Sequence, residues 1–149
     1  MDMKRALYFL LILLLFSSCG SLFSDPDSMY EAAIRHYLES WSTLPDTVVL
    51  TVEGESPSDN LLNRLDNLDI QLVGKYTGDT PNVANLEPGS YRDLSVSNVR
   101  WRGSNRVILE VSYSLTTPDG YTDAHGVEYQ LEKKDGAWVV THVGVEWMT

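Results

Sequence analysis

The chain has 149 residues, carries 21 acidic against 11 basic side chains for a formal net charge of −10, and contains a single cysteine. Nucleic acid is excluded as an expected partner, because binding to a phosphate backbone rests on a basic footprint that is absent here. One cysteine rules out an internal disulfide, so a single domain of this length must be held by its core alone.

Lys4 and Arg5 precede an uncharged run, Ala6 to Phe16, followed at once by Ser17 and Ser18. A basic start, a short apolar stretch and small residues together read as an export signal. The run is well short of the roughly 20 residues that span a bilayer as a helix. Leu15-Phe16-Ser17-Ser18-Cys19-Gly20 resembles the lipobox of bacterial lipoproteins, with Phe16 where an aliphatic residue is usual. The resemblance covers the first 20 residues. It implies cleavage before Cys19, diacylglycerol on the thiol and acylation of the freed amine, a multi-chain anchor that holds a protein stably on a membrane. Gly20 and Ser21 lack the aspartate that retains enteric-type lipoproteins at the inner membrane, so the resemblance implies the periplasmic face of the outer membrane. The expected division is 1–18 signal peptide, 19–27 lipidated tether and 28–149 a single domain.

Ser28-Met29-Tyr30-Glu31 offers a capping box for a first helix. Tyr30, Ala33, Ile34, Tyr37, Leu38 and Trp41 recur at helical spacing as its apolar stripe. Leu44-Pro45-Asp46 ends it, and the β-branched run Thr47 to Glu53 reads as a strand. Ser56-Pro57-Ser58-Asp59 starts a second helix, with the proline at its first position, Asp59 completing a capping box, and Leu61, Leu62, Leu65 and Leu68 on its buried face. Ile70 to Val73 follows as a strand. Gly74 to Ser90, rich in Gly, Pro, Asn, Asp and Thr, shows no period and reads as a mobile or functional connection.

The rest reads as an antiparallel meander, with strands near 93–102, 106–115, 123–133 and 137–147. Gly103-Ser104-Asn105, Pro118-Asp119-Gly120 and Asp135-Gly136 punctuate it, the last as a type I′ hairpin. Val107, Leu109, Val111, Tyr113 and Leu115 alternate with Ile108, Glu110, Ser112 and Ser114, which gives one core face. The expected class is α+β: a first helix laid across a curved antiparallel sheet of about six strands, with a second short helix. This order, closing on Tyr129 to Val140 with Asp135-Gly136-Ala137-Trp138-Val139-Val140, resembles the cystatin-like and NTF2-like group, which includes many lipoproteins. A shared fold does not carry function.

The chain contains no Gly-x-Ser-x-Gly, phosphate loop, His-Glu-x-x-His, cysteine pair or calcium loop. No cofactor is expected. An uninterrupted hairpin from Asp135-Gly136 pairs Lys134 with Ala137 and so sets His142 opposite Tyr129. If the sheet curves into a cone there, as the NTF2-like resemblance implies, they line a candidate pocket with Trp138 from the hairpin and Tyr37 from the first helix. A core histidine satisfied by a tyrosine hydroxyl is the plainer reading of the pair. A base at His142 requires access to substrate and suitable tuning. The same register sets His125 opposite Glu146 near Asp123. These are residue types that bind zinc, although scattered surface ligands more often form a solvated rim, and no metal is expected. His36 lies off the stripe. Trp41, Trp101 and Trp138 are expected in the core, and Trp147, near the chain end, is expected to be exposed.

Two readings of function follow. The first is a non-enzymatic, membrane-anchored envelope lipoprotein that binds another protein or envelope component through the Gly74 to Ser90 connection and the exposed sheet. The second is a small-ligand pocket protein or an enzyme of NTF2-like type using Tyr129 and His142. A deep pocket that solvent reaches at both side chains favours the second, and a filled core favours the first.

Overall fold

The computed structural model describes residues 25–43, 45–77, 80–81, 86–87, 89–120 and 122–149. The segment read as an export signal, Cys19 and most of the expected tether lie outside the described residues, as does part of the Gly74 to Ser90 connection. Among the described residues no helix is long and apolar enough to cross a membrane.

Helix α1 runs Pro26–Glu39. It starts two residues before the expected Ser28. Asp25 is the cap, its carboxylate accepting from the Asp27 amide at 3.1 Å, and Pro26 fills the first turn. Proline fits there because its missing N–H would have no intrahelical partner and its φ is already helical. Ser28 Oγ donates instead to the Asp25 carbonyl at 2.7 Å, and Glu31 pairs with Arg35 one turn on at 2.9 Å. The capping box is therefore not formed. Met29, Tyr30, Ala33, Ile34, Tyr37 and Leu38 form the buried face.

Strand β1 (Thr47–Val52) is followed by helix α2 (Asp59–Leu65), a two-turn element capped by Ser58, whose Oγ accepts from the Leu61 amide at 3.0 Å. The cap falls at Ser58, not Ser56, which leaves Pro57 before the helix rather than at its first position. Leu61 and Leu65 are buried, while Leu62 and Leu68 are partly so. Polar contacts tie α1 to α2. Asp27 accepts from Ser58 Oγ at 2.7 Å and Asn60 Nδ2 at 2.8 Å. Arg35 donates to the Arg64 carbonyl and to Asn67 Oδ1, both at 2.6 Å, and Arg64 pairs with Asp25 and Glu31.

Strand β2 (Gln71–Gly74) precedes a short ladder of β3 (Tyr76–Thr77) with β4 (Thr80–Pro81) inside the long connection. The meander strands are β5 (Arg92–Trp101), β6 (Arg106–Thr116), β7 (Thr122–Lys134) and β8 (Ala137–Met148). The main sheet has six strands in the order β2-β1-β5-β6-β7-β8. It is mixed, which corrects the antiparallel expectation: β1 is parallel to both β2 and β5. The parallel pairing with β2 is reached through α2, the usual helical crossover.

Helix α1 crosses the sheet and packs chiefly against β8. Its buried stripe meets Val48, Leu50, Leu94, Val96, Val107, Leu109, Val111, Val127, Tyr129 and Leu131 in one core. Val49 lies between two residues of that core yet is itself wholly buried, on the other side of the sheet. The connection from β2 to β5 has to pass β1 to reach its place. Lys75 at its start acts on the Asp93 carboxyl, whose in-register neighbour is Val49. Burial raises the pKa of Asp93, and Lys75 lowers it in part.

Candidate functional site

The β7–β8 hairpin turns at Asp135 (φ 52°) and Gly136 (φ 86°), both left-handed as a type I′ turn requires, and Lys134 pairs with Ala137 as expected. The register then slips. Leu131 faces Val140 but Gln130 faces His142, so Thr141 is an extra residue on β8, and its Oγ1 donates to the Gln130 carbonyl at 3.2 Å. The bulge sets Tyr129 opposite Val143 and turns His142, with Gln130, to the face away from α1. His142 is exposed, whereas Tyr129, Trp138 and Tyr37 are buried. The expected Tyr129–His142 pair is thus not assembled, and three of the four candidate pocket residues are packed into the core.

His125, not His142, comes within hydrogen-bond reach of a tyrosine hydroxyl. Its Nδ1 is 2.9 Å from the Tyr37 hydroxyl, and the two rings stack at 6.0 Å. Tyr113 lies 5.9 Å from the His125 ring, and Tyr129 lies 6.4 Å from Tyr37. His36 is exposed on α1 and meets the Tyr129 ring edge-on at 5.2 Å. Burial, and then the neighbouring Tyr113 and Tyr129, raise the Tyr37 pKa well above the usual phenol range. Burial, with Glu146 adding to it, pushes Tyr129 up to about 12. Both hydroxyls stay protonated at neutral pH.

A second irregularity in β8 sets two residues, Gly144 and Val145, against Glu128. The expected His125–Glu146 pairing becomes His125–Met148 and Val127–Glu146. Among the described residues no three His, Cys, Asp or Glu side chains converge as a metal site.

β8 is the last strand of the main sheet and leaves Val143 44%, Val145 73% and Met148 78% exposed. Trp147 is 37% exposed and lies flat over Gly126, where an added Cβ would sit 2.3 Å from the indole. Trp101, expected in the core, is 46% exposed at the end of β5 and meets Trp138 edge-on at 5.8 Å. Trp138 Nε1 is buried without an acceptor.

Just past the C-terminus of α1, Trp41 and Tyr113 meet edge to face at 5.3 Å, and the Arg92 guanidinium lies over both rings, 5.8 and 5.5 Å from their centroids. These three residues, with Ser40, Ser42 and Thr43, line an open cleft of about 270 Å³. Sequence reasoning missed this cluster, because Arg92 and Tyr113 come together only through the pairing of β5 with β6.

Comparison with protein-family models, with curated proteins and with solved structures finds no match. The fold defines the chain as an α+β protein with a six-stranded mixed sheet.

Proposed function

We propose that this chain is a lipid-anchored envelope protein whose domain is a non-enzymatic docking module for another protein of the envelope. The observation that carries the docking reading is the free end of β8, where Val143, Val145 and Met148 present apolar side chains to solvent on an edge strand. Exposed apolar surface on an edge is a cost that a domain avoids unless something covers it. Across Ala137–Met148 Glu146 is the only Asp, Glu, Lys or Arg, on a chain of net charge −10. A partner therefore meets little charge to desolvate there. The two irregularities in β8 interrupt a continuous ladder, so contact through apolar side chains is favoured over addition of a long strand. The filled core around Tyr37, Tyr129 and Trp138 supports the same reading.

The anchoring half of the proposal rests on the run from Lys4 to Cys19, with the periplasmic face of the outer membrane as the proposed address. The reading also places the domain in the cystatin-like and NTF2-like group. Support comes from the long helix over a bulged sheet, while the parallel β1–β2 unit departs from a pure meander.

Two arms test it. Cys19→Ser should leave an uncut precursor or release the protein from membranes, and normal processing with membrane retention would overturn the anchor. A photo-crosslinking residue at Val145 should trap a discrete partner in intact cells, whereas one at exposed Asp135 on the far turn should not. Equal labelling at both positions, or none at Val145, would overturn the docking surface.

A further inference from the structure

The cleft at the end of α1 has the chemistry of a receptor for one kind of small molecule. Arg92 is half-buried, and among the described residues no carboxylate pairs with it. Its guanidinium lies over the rings of Trp41 and Tyr113. Neither ring supplies a carboxylate or carbonyl acceptor, so the guanidinium keeps N–H donors for a planar oxyanion. The α1 terminus does not compete for this role. The Tyr37 carbonyl accepts from Ser40 N at 3.1 Å and Ser40 Oγ at 2.6 Å, and the Leu38 carbonyl accepts from Trp41 N at 3.1 Å. The Tyr37 and Leu38 carbonyls are thus occupied, and Arg92 is the one cationic side chain among the cleft's described lining residues.

The ligand needs more than charge. A chain of net charge −10 repels small free anions at long range, so an inorganic ion gains little by entering. A ligand with a flat apolar body also gains contact with the Trp41 and Tyr113 walls. The volume of about 270 Å³ lies just below the usual range for drug-sized molecules and suits a body of about one ring.

We propose that this cleft binds a small organic anion, a carboxylate or phosphate monoester on a planar body, with the oxyanion on Arg92 and the body against Trp41.

The test uses the full chain in non-ionic detergent, titrated with benzoate, phenyl phosphate, benzamide and inorganic phosphate. Readouts are calorimetry and the side-chain NMR signals of Arg92 Nε–H and the Trp41 indole N–H. Benzoate, phenyl phosphate or both should saturate and move the two signals together, and which of them binds tells carboxylate from phosphate. Benzamide, the neutral match for benzoate, and inorganic phosphate should each bind at least roughly tenfold more weakly, the first for want of a charge-assisted hydrogen bond and the second for want of a body to stack. Arg92→Met should abolish saturation while the remaining NMR signals keep their dispersion. Trp41→Leu, which leaves Arg92 in place, should weaken the aromatic anions more than inorganic phosphate, and it serves if Arg92→Met fails to fold. No saturation with either aromatic anion, equal binding of benzamide and benzoate, inorganic phosphate as tight as both aromatic anions, or unchanged affinity in a folded Arg92→Met would each overturn the proposal.

Discussion

Gly126→Ala tests the outer surface of the sheet at one atom. Gly126 has no positive φ, so alanine suits its backbone, and replacing a strand glycine should by itself stabilise by about 0.5–1 kcal/mol. The new Cβ, however, would lie 2.3, 2.4 and 2.5 Å from Trp147 Cε2, Cζ2 and Nε1, closer than real Cβ contacts allow. The indole has to swing away. A tryptophan buries about 150–250 Å² when covered. Trp147 is only 37% exposed, so losing its seat uncovers on the order of 100 Å², or about 2.5 kcal/mol at 25 cal/mol/Å². The net expectation is a loss of about 1.5–2 kcal/mol in a urea melt followed by circular dichroism, at unchanged slope. In a Trp147→Ala background the same substitution should be neutral or stabilising by up to about 1 kcal/mol, which gives a coupling of about 1.5–3 kcal/mol between the two sites. A Gly126→Ala variant as stable as its parent with Trp147 intact would show that the indole does not rest on this glycine.

Leu109→Ala should cost about 2–5 kcal/mol, since Leu109 is wholly buried at the centre of β6, and a loss below about 0.5 kcal/mol would refute its place in the core. Asp25→Ala should cost about 1 kcal/mol as the loss of a helix cap, whereas Ser28→Ala and Glu31→Ala should be additive to within about 0.5 kcal/mol. Coupling between those two would restore the capping box. Alkaline pH should destabilise the domain. Tyr30, Tyr37 and Tyr129 all have raised pKa values, through burial first and neighbouring groups second. Against an unfolded phenol near about 10, the folded state holds these protons more tightly, so their contribution is complete below about pH 10 and is lost as pH climbs through the folded values. Stability that stays flat from pH 9 to 12, by denaturant melts with tyrosinate absorbance followed in parallel, would refute this.

Much of the architecture was legible in the residues themselves. The apolar period of α1 and the alternation along β6 mark each element's buried side, because side chains recur at 3.6 and 2 residues whatever surrounds them. Asp135-Gly136 likewise sets its own turn, since both residues tolerate the left-handed backbone. A signal for the mixed sheet was also present: Val48-Val49-Leu50 is a continuous apolar run, and all three are wholly buried, as a strand covered on both faces requires. Asp25-Pro26 was likewise the better start for α1 than Ser28. The candidate site was not legible in this way. The extra residue at Thr141 changes the partner of every residue beyond it, and no local preference announces where such a bulge falls. It exchanged His142 for Val143 opposite Tyr129 and, with the second irregularity, brought Met148 rather than Glu146 to His125. Arg92 reaches Trp41 and Tyr113 only once α1, β5 and β6 have packed. Local chemistry determined which elements form and which side of each is apolar. Which side chains meet was decided by strand register, a property of the whole sheet that depends on how bulges and packing resolve together.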